Sequence, residues 1–181
     1  MAAGRRTGGG FVVDDSGALP ARTAQLAGLA ATSRFADRLA AALDAVARPA
    51  GETLWLGLFG EVGAGKTTLT ARLVPSLRER GWPSDGTEEV ASPTYAIEHL
   101  YLRGTLLHAD LYRLSEARLP QLSLLDTTAR AALVEWPERI EAVAAMLDLE
   151  LHLGVTSASG RSVRLVARTE RGVALLQALD G

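Results

Sequence analysis

The chain has 181 residues, 48% of them apolar and 22% charged, with a formal net charge of −2. That balance is ordinary for a globular protein and excludes an extended basic surface for direct nucleic-acid binding, so any link to RNA would run through a partner or a local patch. Cysteine is absent, which rules out a disulfide framework and accords with a reducing, cytoplasmic setting, and no apolar stretch approaches the length that spans a bilayer.

At the N-terminus, Arg5 and Arg6 are followed by glycines and by Asp14 and Asp15, in place of the continuous apolar segment of a signal peptide. A flexible tail is expected over 1–21 and a single domain over 22–181. Between 32 and 48, Phe35, Leu39, Leu43 and Val46 fall on one helical face, with Arg34, Arg38 and Asp44 off it, which predicts a helix ahead of the first core strand. The run 53–59 is short and mostly apolar and suits a strand buried on both faces.

Gly60-Glu61-Val62-Gly63-Ala64-Gly65-Lys66-Thr67 then fits the P-loop pattern G-x-x-x-x-G-K-[ST] without mismatch. Lys66 is the one lysine among 19 basic residues, the rest being arginine. A flexible ammonium is the group that reaches the β- and γ-phosphates of a nucleotide as a point charge. Leu69, Leu73 and Leu77 follow at a spacing of four, so strand, glycine-rich loop and helix stand in the order the motif requires. The loop amides and the helix N-terminus would cradle phosphates, and the Thr67 hydroxyl would sit on Mg²⁺. Pro75 lies inside this helical pattern and predicts a kink or an early helix end.

Residues 81–86 read as turns. Runs 96–101 and 105–110 flank Leu102-Arg103-Gly104 and read as a hairpin. Strands are expected at 131–135, 149–155 and 162–167, with 157–160 as the turn between the last two and a closing helix at 173–179. The fold class that follows is α/β: a three-layer P-loop sandwich on a mixed, mostly parallel sheet.

A P-loop needs an acid at a neighbouring strand end to hold its metal. Glu135 and Asp110 both end apolar strands, and either could serve the metal shell while the other positions or deprotonates the attacking water. Trp136 leaves the sheet beside them, placed to pack on a nucleotide or to hold the glutamate. Ser92-Pro93-Thr94-Tyr95 occupies the place of a loop that senses the γ-phosphate. His108 reads as a hydrogen-bonded structural residue, while Arg113 and Arg139 are candidate phosphate or partner contacts. Three scattered histidines without cysteine make a poor zinc site.

The P-loop with Thr68, Ser-Pro-Thr-Tyr at 92–95, His-Ala-Asp-Leu-Tyr-Arg at 108–113 and Val-Glu-Trp-Pro at 134–137 together resemble the TsaE (YjeE) family in order and spacing, over 32–161. That family is the ATPase subunit of the bacterial machinery that makes N6-threonylcarbamoyladenosine at position 37 of tRNA. The resemblance implies slow, Mg²⁺-dependent ATP hydrolysis and docking on the threonylcarbamoyltransferase subunit and its paralogue, of the TsaD and TsaB type, to reset that complex between turnovers. Contact with tRNA would be indirect, with no membrane and no DNA involved.

By motif position, Lys66 carries over as the phosphate lysine, Thr67 as a Mg²⁺ ligand and Thr68 as a further nucleotide contact. Asp110 and Glu135 carry over as the two acids, Trp136 lies beside the nucleotide, Thr94 falls in the switch-like loop, and Thr32 lies near the base. Glu61, Val62, Gly63, Ala64 and Gly65 complete the nucleotide contacts. Glu61 stands where the family usually has Asp, Ala36 where it commonly has Gly, and 118–123 is basic and proline-broken where the family tends to be acidic. Two other readings are a small-molecule P-loop kinase, whose Arg-rich lid has no free candidate here, and a nucleotide-dependent binding switch without useful turnover.

Overall fold

In a computed structural model, residues 20–47, 52–86, 90, 97–114 and 122–180 are described. Seven strands form one sheet in the order β1-β7-β6-β2-β5-β4-β3. These are β1 (Ala21–Ala27), β2 (Leu54–Phe59), β3 (Glu98–Tyr101), β4 (Leu106–Asp110), β5 (Ala131–Glu135), β6 (Leu149–Val155) and β7 (Gly160–Ala167). The four central strands run parallel through the β6–β2, β2–β5 and β5–β4 ladders. Antiparallel ladders add β7 and β1 on one side and β3 on the other. The expected mixed sheet is therefore present, with its parallel part in the core.

Helices α1 (Leu29–Val46), α2 (Lys66–Glu79) and α4 (Glu170–Leu179) share one face of the sheet, where Phe35, Leu39, Leu69, Leu73 and Leu175 pack on Leu54, Leu56 and Leu58 of β2. The alternation of β2 turns Trp55 to the opposite face, into a smaller core with Leu107, Ala109, Ala132, Val134, Ile140, Val143 and Leu147. Among the described residues, the four-residue α3 (Glu141–Ala144) and 3₁₀ turns at 123–126 and 137–139 lie on that side. Gly57 is needed there, because a Cβ would lie 2.6 Å from Leu147 Cδ1 and 3.0 Å from Pro137 Cγ.

Two features differ from the sequence reading. Strand β1 (Ala21–Ala27), which the sequence reading did not include, pairs from Ala21↔Val166 to Ala27↔Gly160. It is an edge strand with Leu26 as its one buried residue, so it carries none of the alternation that marks a half-buried strand. Pro75 does not end α2, which continues to Glu79. Leu73, Val74 and Leu77 are buried on both sides of the proline, and that packing offsets one missing main-chain bond.

The loop after β2 leaves the sheet where the parallel neighbours β5 and β6 diverge to opposite sides, the switch point at which open α/β sheets bind ligands. No helix of the described residues is long and apolar enough to cross a membrane.

Candidate functional site: an anion cradle with two acids

The segment 60–65 links β2 to α2 through three glycines at positive φ, Gly60, Gly63 and Gly65. Gly60 is the most constrained of them: its φ is +132°, and a Cβ there would be driven into the Leu153 carbonyl oxygen. At the first position of α2, Lys66 is 5% exposed, and its Nζ donates to the carbonyl oxygens of Gly60 at 2.6 Å and Glu61 at 3.0 Å. The Trp136 ring lies over the same ammonium, 4.0 Å from Nζ to the ring centroid. Burial lowers the Lys66 pKa from its ordinary value, and Glu135, Asp110 and Glu138 oppose that shift through their charge.

The two acids come from adjacent parallel strands. Asp110 and Glu135 are paired in register at the ends of β4 and β5. Glu135 is 3% exposed, and its Oε1 accepts from the Thr67 hydroxyl at 2.8 Å and lies 2.9 Å from His108 Nε2. His108 is fully buried and its Nδ1 has no hydrogen-bond partner, so the arrangement fits the tautomer with the proton on Nε2, donating to the carboxylate. Asp110 accepts from the Tyr112 main-chain N–H at 2.9 Å. Burial raises its carboxyl pKa and Glu135 adds to the rise, while the Tyr112 bond, His108 and Lys66 pull it down.

Directly after β5, Trp136 adopts φ 58°, ψ 45°, a left-handed conformation uncommon for a bulky side chain. The turn swings its ring over Lys66 and against Tyr112, with ring centroids 4.9 Å apart. It does not touch Glu135 through a hydrogen bond; Thr67 and His108 hold that carboxylate instead. Arg139 lies over the Tyr112 ring, 5.2 Å from Cζ to the centroid.

These groups surround an open pocket of about 310 Å³. Val62, Gly63, Gly65, Lys66, Thr67 and Thr68 form one wall, and Asp110, Tyr112, Arg113, Glu135 and Trp136 form the other. A second pocket of about 230 Å³ shares Gly63, Gly65 and Thr68 with the first and lies behind the loop. Its remaining lining includes Ala64, Thr32 from α1, Leu26 from β1, Leu29, Leu153 from β6 and Arg161 from β7. Thr32 is buried there, its hydroxyl donating to the Gly28 carbonyl at 3.3 Å.

The positions expected from sequence thus fall into two adjoining groups. Lys66, Thr67, Thr68, Asp110, Glu135 and Trp136 meet in the first pocket, and Thr32 joins the second. Of Glu61, the carbonyl takes part, accepting from Lys66 and from the Ala64 N–H. Arg113 lines the first pocket and Arg139 does not. Thr94, with the rest of 91–96, lies outside the described residues, as does 115–121. Tyr112, Arg161, Leu26 and Leu153 were not anticipated; Arg161 reaches the loop only through sheet pairing, 98 residues from Gly63.

Chemically, a main-chain cradle at a helix N-terminus with one ammonium suits a polyanion. The Thr67 hydroxyl and the Glu135 and Asp110 carboxylates are an all-oxygen set of the kind Mg²⁺ accepts. Among the described residues no group of three or more His, Cys, Asp or Glu side chains is placed to hold a metal ion.

Together the parallel core, the strand–loop–helix unit and the paired strand-end acids define an α/β protein of the P-loop type. The model of the family described as threonylcarbamoyl adenosine biosynthesis protein TsaE matches residues 26–163. The tRNA threonylcarbamoyladenosine biosynthesis protein TsaE of Haemophilus influenzae is 30% identical over 128 residues, covering 68% of this chain and 76% of that protein. The fold is similar to that of YdiB, solved as "Crystal structure of Bacillus subtilus YdiB", with a TM-score of 0.63 at 22% identity over 90% of this chain and 95% of the other. The chain belongs to the TsaE family of threonylcarbamoyl adenosine biosynthesis proteins.

Proposed function

We propose that this protein is a Mg²⁺-dependent ATPase that binds and slowly hydrolyses ATP to drive or reset the tRNA threonylcarbamoyladenosine modification complex. The observation that carries the reading is the convergence of Lys66, Thr67 and Glu135 on one pocket at the mouth of the P-loop. Lys66 would exchange its two loop carbonyls for the β- and γ-phosphates. Thr67 and Glu135 would hold Mg²⁺, which when bound neutralises charge on the transferring phosphoryl group. Asp110, next to Glu135 and with a raised pKa, suits the acceptor of a proton from the attacking water better than an ordinary aspartate. The base would lie in the second pocket, beside Thr32.

The family membership supports a place in threonylcarbamoyladenosine synthesis. The partners proposed are a threonylcarbamoyltransferase subunit and its paralogue, of the TsaD and TsaB type, with tRNA approached only through them. Titration calorimetry with ATP and Mg²⁺, phosphate release, and capture of the two subunits with and without ATP test the three parts. No heat of ATP binding would end the reading, and free phosphate rather than a phosphorylated metabolite separates it from a kinase.

A further inference from the structure

Strand β4 runs out into a turn that is anchored at both ends. The Leu111 N–H donates to the Glu135 carbonyl at 3.0 Å and the Leu114 N–H to the Leu111 carbonyl at 3.0 Å, and both leucines are buried in the smaller core. The two residues between them, Tyr112 and Arg113, are exposed. Tyr112 is occupied, with its main-chain N–H on the Asp110 carboxylate and its ring in contact with Trp136 and Arg139. Arg113 lines the Lys66 pocket, and among the described residues no hydrogen bond or ion pair holds its guanidinium. A long cation is thus delivered to the pocket rim by a fixed turn and left free to reach inward.

The charges around the pocket give that cation a task. Lys66 is the cation of the loop wall, while the opposite wall carries the Asp110 and Glu135 carboxylates with Arg113 as the one cation among its lining residues. A terminal phosphoryl group gripped by Lys66 turns its other oxygens toward this wall, where the carboxylates repel them. Phosphoryl transfer needs positive charge at those oxygens in the transition state, and a guanidinium supplies it through a planar fork of N–H donors that matches two phosphate oxygens. Arg113 has no ion pair to break on the way in, so its engagement costs only side-chain freedom.

We propose that Arg113 is a catalytic residue, an arginine supplied by the chain itself that binds the γ-phosphoryl oxygens as charge develops on them. The proposal rests on the ATPase reading and adds to it the group that stabilises the transition state from the acid-lined wall. In the step it serves, the water oxygen bonds to the γ-phosphorus as the bond from that phosphorus to the β–γ bridging oxygen breaks. The bridging oxygen keeps the electron pair and leaves on ADP, and the water proton passes to the Asp110 carboxylate. Arg113 neither gains nor loses a proton.

The test pairs phosphate release with calorimetry on the full chain with Mg²⁺, using ATP, ADP, and ADP with aluminium fluoride as a mimic of the transition state. Arg113→Ala should lower kcat about 10²- to 10³-fold while the affinities for ATP and ADP stay within about threefold. Its affinity for ADP with aluminium fluoride should fall by about 10²-fold or more. Arg113→Lys, which keeps the charge and loses the fork, should recover only part of kcat, and millimolar guanidinium should raise phosphate release by Arg113→Ala without raising that of wild type. Equal losses for ATP, ADP and the mimic would make Arg113 a ground-state contact and overturn the proposal, as would unchanged phosphate release by Arg113→Ala. Both results leave the ATPase reading standing, whereas wild-type protein that binds no ATP, or binds it and releases no phosphate, removes that reading and the proposal with it. Should Arg113→Ala melt far below wild type, Arg113→Gln takes its place in every measurement with the same expected values.

Discussion

Asp110 and Glu135 stand side by side at the carboxyl ends of neighbouring parallel strands, joined in register by the β4–β5 ladder. Two like charges at one strand end must be kept apart in role. Glu135 has both of its hydrogen-bonded contacts on Oε1, from Thr67 and His108, and is nearly inaccessible, while Asp110 is half-buried and takes one main-chain N–H.

That asymmetry predicts different phenotypes. Glu135→Ala is expected to retain some ATP binding and to lose hydrolysis by about 10²- to 10³-fold, the range for losing a group that serves transition-state charge stabilisation. Phosphate release by the variant, beside its calorimetric affinity, is the check. Hydrolysis that persists would show that Glu135 is not the acid that holds the metal.

Asp110 also makes stability depend on pH. Its carboxyl pKa is raised above 3.8, chiefly by burial, so the folded protein holds that proton more tightly than the unfolded chain. As pH rises from 3.8 through the raised value, ionisation costs stability, and the cost is fully present at neutral pH. Asp110→Asn should therefore melt slightly above wild type at neutral pH, with the advantage fading as pH falls from the raised value to 3.8. Thermal melts across that range would show a constant difference if the argument were wrong.

Lys66→Ala should weaken ATP by about 10- to 150-fold, the loss expected for a hydrogen bond to a charged group worth about 1.5–3 kcal/mol. Burial lowers the Lys66 pKa below 10.5, so in wild-type protein the ammonium is lost earlier than usual as pH climbs. ATP affinity is expected to decline on the alkaline side before pH 10.5 is reached, and the Ala variant should show no such decline. Calorimetry at a series of alkaline pH values reads both effects.

His108 is expected to act as a positioning residue. His108→Ala removes a buried donor to Glu135 and should cost about 1–3 kcal/mol of stability. It should also lower kcat more than it changes KM, because the carboxylate loses its orientation while the phosphate cradle is untouched. His108→Gln, with a side-chain N–H of its own, should recover part of kcat. Equal effects on kcat and KM, with no recovery, would reduce the histidine to packing.

The elements that build the centre were legible because their signals are local. The apolar runs of β2, β5 and β6 and the glycines of the loop speak for themselves, and β6 falls at 149–155 as its pattern predicts. Acids that end apolar strands could be named in advance for the same reason, although nothing in sequence put Asp110 and Glu135 opposite each other; the ladder does that. Strand β1 was hidden because an edge strand with one buried side chain needs no alternation. The left-handed turn at Trp136 was equally hidden, since only the completed sheet and the Tyr112 ring favour it over an ordinary conformation. Arg161 illustrates the general limit: its partner Gly63 is brought near by the β6–β7 hairpin folding back beside β2, a relation no window of sequence contains.

The Lys66 ammonium is never without company. It is latched onto the Gly60 and Glu61 carbonyls beneath an indole roof. An incoming ligand therefore gains only the difference between its own grip and that of the latch. Such a self-closing catch moderates how tightly the loop can hold an anion.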